Sequence, residues 1–112
     1  MDFPEPYMSL FNASSKALKA VHPSLRVGGP ATMQLLNVAD FIEAANKMKI
    51  DFDFVSTHMY PTDPQCTRPS KPGEAPPAWR PDCFTDHVKN ASKIAKAAGK
   101  PFYMTEYNVG CW

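Results

Sequence analysis

The sequence predicts an α/β fold built on a parallel sheet, and two observations support this prediction. Segments whose apolar residues recur at the helical period alternate with short apolar segments, in the order α-β-α-β-loop-α-β. The single loop in this order contains most of the prolines, which exclude it from a helix interior or a central strand. Alternation of this kind is typical of βαβ units, whose strands run parallel.

The first predicted pair is a helix over residues 7–21 followed by a strand over residues 25–30. Residues at near-helical spacing indicate the helix, and Pro23 ends it. One face carries Lys16 and Lys19. The expected buried face consists of Leu10, Phe11, Ser14, Leu18 and Val21. The strand, Leu-Arg-Val-Gly-Gly-Pro, runs into a turn.

Two further helix–strand pairs are predicted downstream. Residues 38–48 form an amphipathic helix, and residues 52–58 form the second strand. The apolar stripe of this helix is expected to consist of Phe41, Ile42, Ala45 and Met48. After the proline-rich loop, residues 86–98 predict the third helix, which Gly99 ends, and residues 101–106 predict the third strand.

Length, charge and hydropathy exclude several classes of protein. The chain has 112 residues, which is the usual size of one domain. It carries 12 Lys and Arg against 11 Asp and Glu, so its net charge of +1 offers no electrostatic argument for a nucleic-acid or membrane partner. With 44% hydrophobic and 21% charged residues, the composition is that of a globular protein. No apolar run approaches the roughly 18 residues that a membrane span needs.

The prolines cluster in one stretch, residues 61–82, which contains seven of the 12. A long segment of this kind is usually a functional loop or a linker. Only about 30 residues follow it, too few for an independent domain, so the sequence favours an ordered loop. Cys66 lies near the start of this stretch, Cys83 follows its last residue, and Trp79 lies inside it.

Polar groups and glycines stand where the predicted strands end. In parallel α/β folds, catalytic and ligand-binding residues lie at the carboxyl ends of the strands, where neighbouring loops converge. Six candidate site positions lie at these expected ends: Gly28, Gly29, His58, Tyr60, Glu106 and Asn108. A functional site is therefore expected at this edge of the sheet.

Three segments at these strand ends carry a family resemblance. Residues 27–31 (Val-Gly-Gly-Pro-Ala), 53–60 (Asp-Phe-Val-Ser-Thr-His-Met-Tyr) and 105–108 (Thr-Glu-Tyr-Asn) closely resemble glycoside hydrolase family 39, which includes β-xylosidases and α-L-iduronidases. The resemblance covers essentially the whole chain outside the proline-rich loop. It implies part of a (β/α)8 barrel, about strands five to seven with their helices, and cleavage of glycosidic bonds with retention of configuration.

The resemblance implies that Glu106 is the catalytic nucleophile. A retaining glycosidase needs an ionised carboxylate about 5–5.5 Å from a second carboxyl group, which protonates the leaving oxygen. The resemblance also implies that His58 and Tyr60 line the sugar subsite beside the nucleophile. A Tyr hydroxyl that donates to the carboxylate stabilises its charged form, and a His can hydrogen-bond sugar hydroxyls.

Further substrate contacts follow from the same resemblance. Gly28 and Gly29 are expected to let the backbone approach the substrate closely. Asn108 is expected to orient its loop or reach a sugar hydroxyl. The proline-rich loop 61–82 is expected on the catalytic rim, where Trp79 either stacks on a sugar or anchors the loop to the barrel. These two readings of Trp79 stay open.

The second carboxyl group, the acid/base, is not expected in this chain. In the family it belongs to an Asn-Glu-Pro-like motif upstream of the helix that begins here near Tyr7, and Glu5 lies too close to that helix. Glu5 is therefore interpreted as a helix-entry residue that suits the helix dipole. A barrel of this type needs about 250 residues, so the rest is expected from a longer parent chain, and the 112-residue chain alone is expected to be inactive. The alternative is a non-catalytic truncated product or carbohydrate-binding remnant.

The three cysteines leave one unpaired. If the parent protein is secreted or lysosomal, Cys66 and Cys83 are disulfide candidates that would close the loop at both ends, leaving Cys111. His58, Asp63 and Cys66 lack the paired ligand spacing of zinc motifs, so no metal and no cofactor are expected. The sole expected ligand is a glycoside or oligosaccharide.

Several remaining polar residues are expected to be merely solvated. Asp51 and Asp53 flank the start of the second strand, at its non-catalytic end, while His22 and His87 lie near a helix end and a helix start. The amino terminus of this chain has neither the basic region nor the apolar core of a signal peptide, so the sequence assigns no location.

Overall fold

The computed structural model describes residues 3–66, 72–73 and 81–108. The elements are α1 (Glu5–Val21), β1 (Gly28–Thr32), a 3₁₀ turn (Met33–Leu35), α2 (Val38–Met48), β2 (Phe54–His58), α3 (Pro81–Ala97) and β3 (Phe102–Glu106). This order confirms the predicted alternation of helices and strands. No helix in these ranges is long and apolar enough to cross a membrane.

The three strands form one parallel sheet in the order β1-β2-β3. The sheet is therefore the parallel α/β arrangement that the sequence predicts. The β1–β2 ladder pairs Gly28 with Phe54 and Pro30 with Ser56, and then shifts so that Thr32 pairs with Thr57. The shift makes a bulge near the carboxyl end of β1.

An aromatic cluster between the helices and the sheet forms the centre of the core. Phe41 of α2 is fully buried and meets the rings of Phe11 and Phe52 edge-on, at centroid distances of 5.3 and 5.2 Å. Tyr7 stacks beside Phe11 at 6.3 Å. Edge-to-face pairs of this kind stabilise a core by about 0.5–1.5 kcal/mol beyond area burial. The cluster therefore ties α1 and α2 to the same face of the sheet.

The predicted buried face of α1 is correct only at Phe11. The residues that α1 buries are Met8, Phe11 and Ser15, whereas Leu10 is 67% and Val21 81% exposed. Phe11 belongs to both the predicted and the observed face, which lie side by side around the helix and have nearly the same period. Periodicity alone cannot choose between two such faces.

Helix α3 begins at Pro81, five residues before the predicted start at residue 86. The last proline of the proline-rich stretch therefore starts a helix instead of extending the loop. Proline suits this position because its fixed φ matches the helix and the missing N–H would have no intrahelical partner there.

Asp53 is a structural residue, and the expectation that it is merely solvated is wrong. Its carboxylate accepts a hydrogen bond from the backbone N–H of Val27 at 2.8 Å and pairs with the Lys19 ammonium at 2.8 Å. These two interactions, with Lys19 the stronger, hold the pKa of Asp53 below its ordinary value. Asp53 thereby joins α1, the segment before β1 and the start of β2.

Candidate active site

Glu106 and His58 lie opposite each other at the carboxyl ends of β3 and β2. The ladder pairs Thr57 with Met104 and then His58 with Glu106, so Thr105 is an extra residue in a bulge. Regular pairing would have placed Thr105 opposite His58. Residues in register on parallel strands share a face, so the bulge sets Glu106 on the same face as His58.

This face is the one that the helices leave uncovered. Val55 is fully buried in the core between the sheet and the helices. His58 lies three residues further along the strand, so by the alternation of side chains it faces the other way. Glu106 is exposed and His58 half-buried. The carboxylate and the imidazole are therefore accessible from one side.

A tight turn after β2 brings Asp63 to the same end of the sheet. Its carboxylate accepts a hydrogen bond from the Tyr60 N–H at 2.9 Å, and its own N–H donates to the Tyr60 carbonyl at 3.0 Å. Burial raises the pKa of Asp63 above its ordinary value, and the charge of His58 acts against this shift. The rings of His58 and Tyr60 are 6.3 Å apart.

Sequence reasoning considered Asp63 only as a metal ligand and missed its role in this turn. The signal was present in Pro61-Thr62-Asp63-Pro64, because an Asp in a proline-flanked turn commonly accepts backbone N–H bonds. The carbonyl of Asp63 also accepts from the Cys66 N–H at 2.9 Å. The turn thus runs continuously from the site residues to the disulfide.

Threonine hydroxyls connect the ends of all three strands, which sequence reasoning also missed. The Thr57 hydroxyl donates to the Thr32 carbonyl, and the Thr105 hydroxyl donates to the Thr57 carbonyl at 3.2 Å. The Thr32 hydroxyl donates to the carbonyl of Leu36 at 2.6 Å. These bonds stabilise the strand ends on which His58 and Glu106 stand. A Thr at or next to the end of each strand was the available signal.

Gly28 and Gly29 lie at the start of β1, so the expectation that they end the strand beside a substrate is corrected. A Cβ atom on Gly28 would lie 2.2 Å from the carbonyl oxygen of Phe54 and 2.5 Å from its ring. A Cβ atom on Gly29 would lie 2.9 Å from the Tyr7 hydroxyl, which donates to the Pro30 carbonyl at 3.1 Å. Packing within the chain accounts for both glycines.

An aromatic and cationic stack covers the amino-terminal part of the same sheet face. The Phe54 and Tyr103 rings meet at 5.1 Å, and the Arg26 guanidinium lies over them at 6.0 and 5.7 Å. Phe54 shares its face with His58, four residues further along β2. On the uncovered face, packed aromatic side chains therefore lie toward the amino-terminal ends of the strands, and polar side chains lie at the carboxyl ends.

The structure describes only some of the remaining positions that the sequence predicts. Asn108 is exposed just beyond β3. Trp79 and most of the proline-rich loop lie outside the described residues. A cavity of about 470 Å³ between the start of α1 and α2 is lined by Phe3, Glu5, Asp40 and Met48 among others, and none of the candidate site residues line it.

Cys66 and Cys83 are joined by a disulfide, and His87 lies beside it. Among the described residues, these three side chains form the one group whose donor atoms suit a metal ion, all within 4.8 Å of one another. His87 is half-buried here, so the expectation of a merely solvated side chain is corrected. This group is separate from the His58 and Glu106 pair.

Known proteins resemble the chain in sequence and in fold. The profile of the Glycosyl hydrolases family 39 matches residues 1–112. A protein named "Beta-xylosidase" from Caldicellulosiruptor saccharolyticus is 35% identical over 104 residues, which make up 93% of this chain and 21% of that protein. Another beta-xylosidase, from Geobacillus stearothermophilus, is 34% identical over 58 residues, 50% of this chain and 12% of that protein.

Solved structures agree with this. The GH39 enzyme from Xanthomonas axonopodis pv. citri superposes with a TM-score of 0.74 and 27% identity, covering 95% of this chain and 22% of that enzyme. A monomeric beta-xylosidase from Caulobacter crescentus CB15 gives 0.73 and 31%, covering 93% and 22%. The chain spans about a fifth of the length of these relatives. Because the family profile covers the whole chain and the fold agrees, this chain belongs to glycosyl hydrolase family 39.

Proposed function

We propose that the chain is part of the catalytic domain of a retaining O-glycosidase that acts on β-xylosides or related glycosides. The observation that carries the proposal is the pairing of Glu106 with His58 at the carboxyl end of the sheet, on the uncovered face. Residues 1–112 then supply about strands five to seven of a (β/α)8 barrel, and a longer parent chain supplies the rest. The beta-xylosidases among the relatives support the substrate class.

Glu106 acts as the nucleophile in this proposal. Its carboxylate attacks the anomeric carbon, the glycosidic C–O bond breaks, and the leaving oxygen takes a proton from an acid outside this chain. Water then cleaves the glycosyl ester, giving its proton to that same group. The exposure of Glu106 suits this role, because a nucleophile has to be reached by the anomeric carbon of the substrate.

His58 and Tyr60 line the sugar subsite beside the nucleophile. The imidazole hydrogen-bonds a sugar hydroxyl, and the Tyr60 hydroxyl donates to the nucleophile or to the sugar. Asp63 supports this arrangement because its carboxylate holds the Tyr60 backbone N–H at 2.9 Å. Tyr60 is thereby held relative to the end of β2.

The segment 61–82 contributes to the rim around the outer sugar subsites. Its anchor at Cys66, joined to α3 through Cys83, supports this location directly after β2. Trp79 stacks on a sugar ring or anchors the segment, and Asn108 reaches the substrate or orients the end of β3. The chain alone, without an acid/base, hydrolyses no glycoside.

The test is made in the full-length protein that carries this segment. Glu106→Gln is expected to lower hydrolysis of an aryl β-xyloside by about 10³-fold or more. In Glu106→Ala, added azide should restore turnover and yield a glycosyl azide of inverted configuration, because the small anion occupies the space of the missing carboxylate. Glu43→Gln, on the exposed surface of α2, is the matched control and should leave turnover unchanged.

Unchanged turnover in Glu106→Gln would overturn the nucleophile assignment. Loss of turnover in both variants, without any azide product from Glu106→Ala, would assign Glu106 a positioning role. If no turnover is found even in the unsubstituted protein while xylo-oligosaccharides still bind, the carbohydrate-binding alternative replaces the enzyme.

A further inference from the structure

Cys66, Cys83 and His87 converge from two parts of the fold. Cys83 and His87 are four residues apart on α3, so they occupy the same face of the helix one turn apart. Cys66 reaches them from the turn that follows β2. The two sulfur atoms and a ring nitrogen of His87 all lie within 4.8 Å of one another.

Two thiolates and one imidazole are a donor set that suits Zn²⁺. Bond lengths of about 2.3 Å to sulfur and about 2.0 Å to nitrogen place tetrahedral sulfur and nitrogen ligands about 3.5–3.8 Å apart. Once the disulfide is reduced, the two sulfurs are no longer bonded, and rotation about the Cα–Cβ bonds of the cysteines moves them apart to this spacing. The Cα atoms of the two cysteines are 5.4 Å apart, so the backbones already hold both sulfurs close to one point.

The disulfide and a metal ion exclude each other, because only the thiolate form of cysteine binds the ion. We propose that, once the Cys66–Cys83 disulfide is reduced, Cys66, Cys83 and His87 bind one Zn²⁺-class cation. A dithiol reductant supplies two electrons and two protons and becomes a disulfide itself. Each cysteine thiol then releases its proton to solvent as its sulfur binds the cation.

Burial around the cluster gives the ion a protected side and an open side. Cys66 is fully buried, whereas Cys83 and His87 are half-buried. Water reaches the cluster from the side of α3 and supplies the fourth ligand, which three protein ligands leave open. The Gln65 carbonyl oxygen lies 3.4 Å from the Cys83 sulfur, on the side of the turn after β2.

The ion would make the same connection as the disulfide. Either one fastens the turn after β2 to the first turns of α3, so this part of the chain stays cross-linked under oxidising and reducing conditions alike. The site is independent of glycoside hydrolysis, since none of its ligands belongs to the His58 and Glu106 pair.

The proposal is tested on the 112-residue chain carrying Cys111→Ser, which removes the third thiol. The chain is reduced with a phosphine, and the phosphine is then removed under anaerobic conditions. The reduced chain is titrated with Co²⁺ as a spectroscopic substitute for Zn²⁺. The expected result is one Co²⁺ per chain, with thiolate-to-cobalt charge-transfer absorption and the visible bands of a tetrahedral ion. Zn²⁺ should displace the cobalt and abolish both.

His87→Asn and His22→Asn are the matched pair of variants. His87→Asn is expected to raise the cobalt dissociation constant at least about tenfold, since even outer-shell changes cost 10–100-fold. His22, exposed at the end of α1, serves as the control and should change nothing. Both variants keep the two cysteines, so the folding of each is checked in the oxidised form by circular dichroism.

Three results would overturn the proposal. One is a reduced chain without charge-transfer absorption, and another is equal cobalt affinity in His87→Asn and His22→Asn, as an unfolded chain would give. The third is cobalt binding of the same strength in the oxidised chain. Cys83→Ser is expected to lose half of the charge-transfer intensity, which separates a two-thiolate site from a one-thiolate site.

Discussion

Glu106 stands opposite His58 because β3 contains one residue more than β2 at the carboxyl end of their ladder. The extra residue, Thr105, donates its hydroxyl to the Thr57 carbonyl at 3.2 Å. The bulge therefore has its own hydrogen bond. The position of the carboxylate follows from this local irregularity as much as from the strand itself.

Thr105→Val tests whether this hydroxyl stabilises the bulge. Valine keeps the shape and the strand preference but removes the donor, so the free energy of unfolding should fall by about 1 kcal/mol. Urea unfolding of the chain measures the change. Thr85→Val, at an exposed position on α3, is the control, and an equal loss in both variants would show that the Thr105 bond contributes nothing.

The two glycines of β1 should respond differently to alanine. Gly28→Ala forces a methyl group against the Phe54 backbone, which cannot move aside, so it should destabilise the chain by about 1–3 kcal/mol or more. The Gly29→Ala methyl group comes too close only to the Tyr7 hydroxyl, at 2.9 Å, and makes ordinary contacts with the rings of Phe11 and Phe41. In a Tyr7→Phe background, the loss of stability caused by Gly29→Ala should therefore be smaller. The loss caused by Gly28→Ala should stay the same. Equal costs of Gly29→Ala in both backgrounds would contradict this explanation.

Asp53 should make the fold more stable at neutral pH than in acid. Its pKa is lower in the folded than in the unfolded chain, so its contribution is complete above the unfolded pKa, about 3.9, and is lost as pH falls through the folded value. Asp53→Asn should lower stability at pH 7 by about 1 kcal/mol and reduce its loss below about pH 4. The midpoints of urea unfolding between pH 3 and 7 measure both effects. The control variant Asp51→Asn should have the same midpoints as the original chain.

Asp63 should have the opposite pH dependence. Burial raises its pKa in the folded chain, so the protonated form is favoured and stability declines as pH rises from the unfolded pKa through the folded value. Asn at this position still accepts from the Tyr60 N–H but carries no charge. Asp63→Asn should therefore equal or exceed the original chain in stability at pH 7, and a marked loss there would contradict the sign of this shift.

The sequence predicted the number, kind and order of the elements, and α2 with its bounds, because periodicity and turn residues are local signals. The prediction failed where one local pattern was compatible with two structures. The predicted and the observed buried faces of α1 share Phe11 and nearly the same period, and Pro81 was counted with the loop although proline equally begins a helix.

The sequence placed His58 and Glu106 at the ends of their strands, but it did not predict the geometry of those ends. The alternation of side chains along a strand does not show where an extra residue is inserted, so neither bulge was predicted. For Gly28, the sequence predicted the carboxyl end of β1, whereas it lies at the start. The role of Asp53 was invisible because Val27, its backbone partner, lies 26 residues away in sequence. Such contacts depend on tertiary packing, which no local pattern records.

Both register shifts lie toward the same end of the sheet, one in β1 and one in β3, on either side of the central strand. A bulged strand bends and twists more strongly, so both outer strands bend where they end, while the threonine hydroxyls keep them joined to β2. Phe54 lies four residues, about 13 Å, from His58 on that face, where its ring packs against Tyr103 and Arg26. In the proposed enzyme, the stack of Arg26, Phe54 and Tyr103 therefore lies beneath the sugar subsite as its floor.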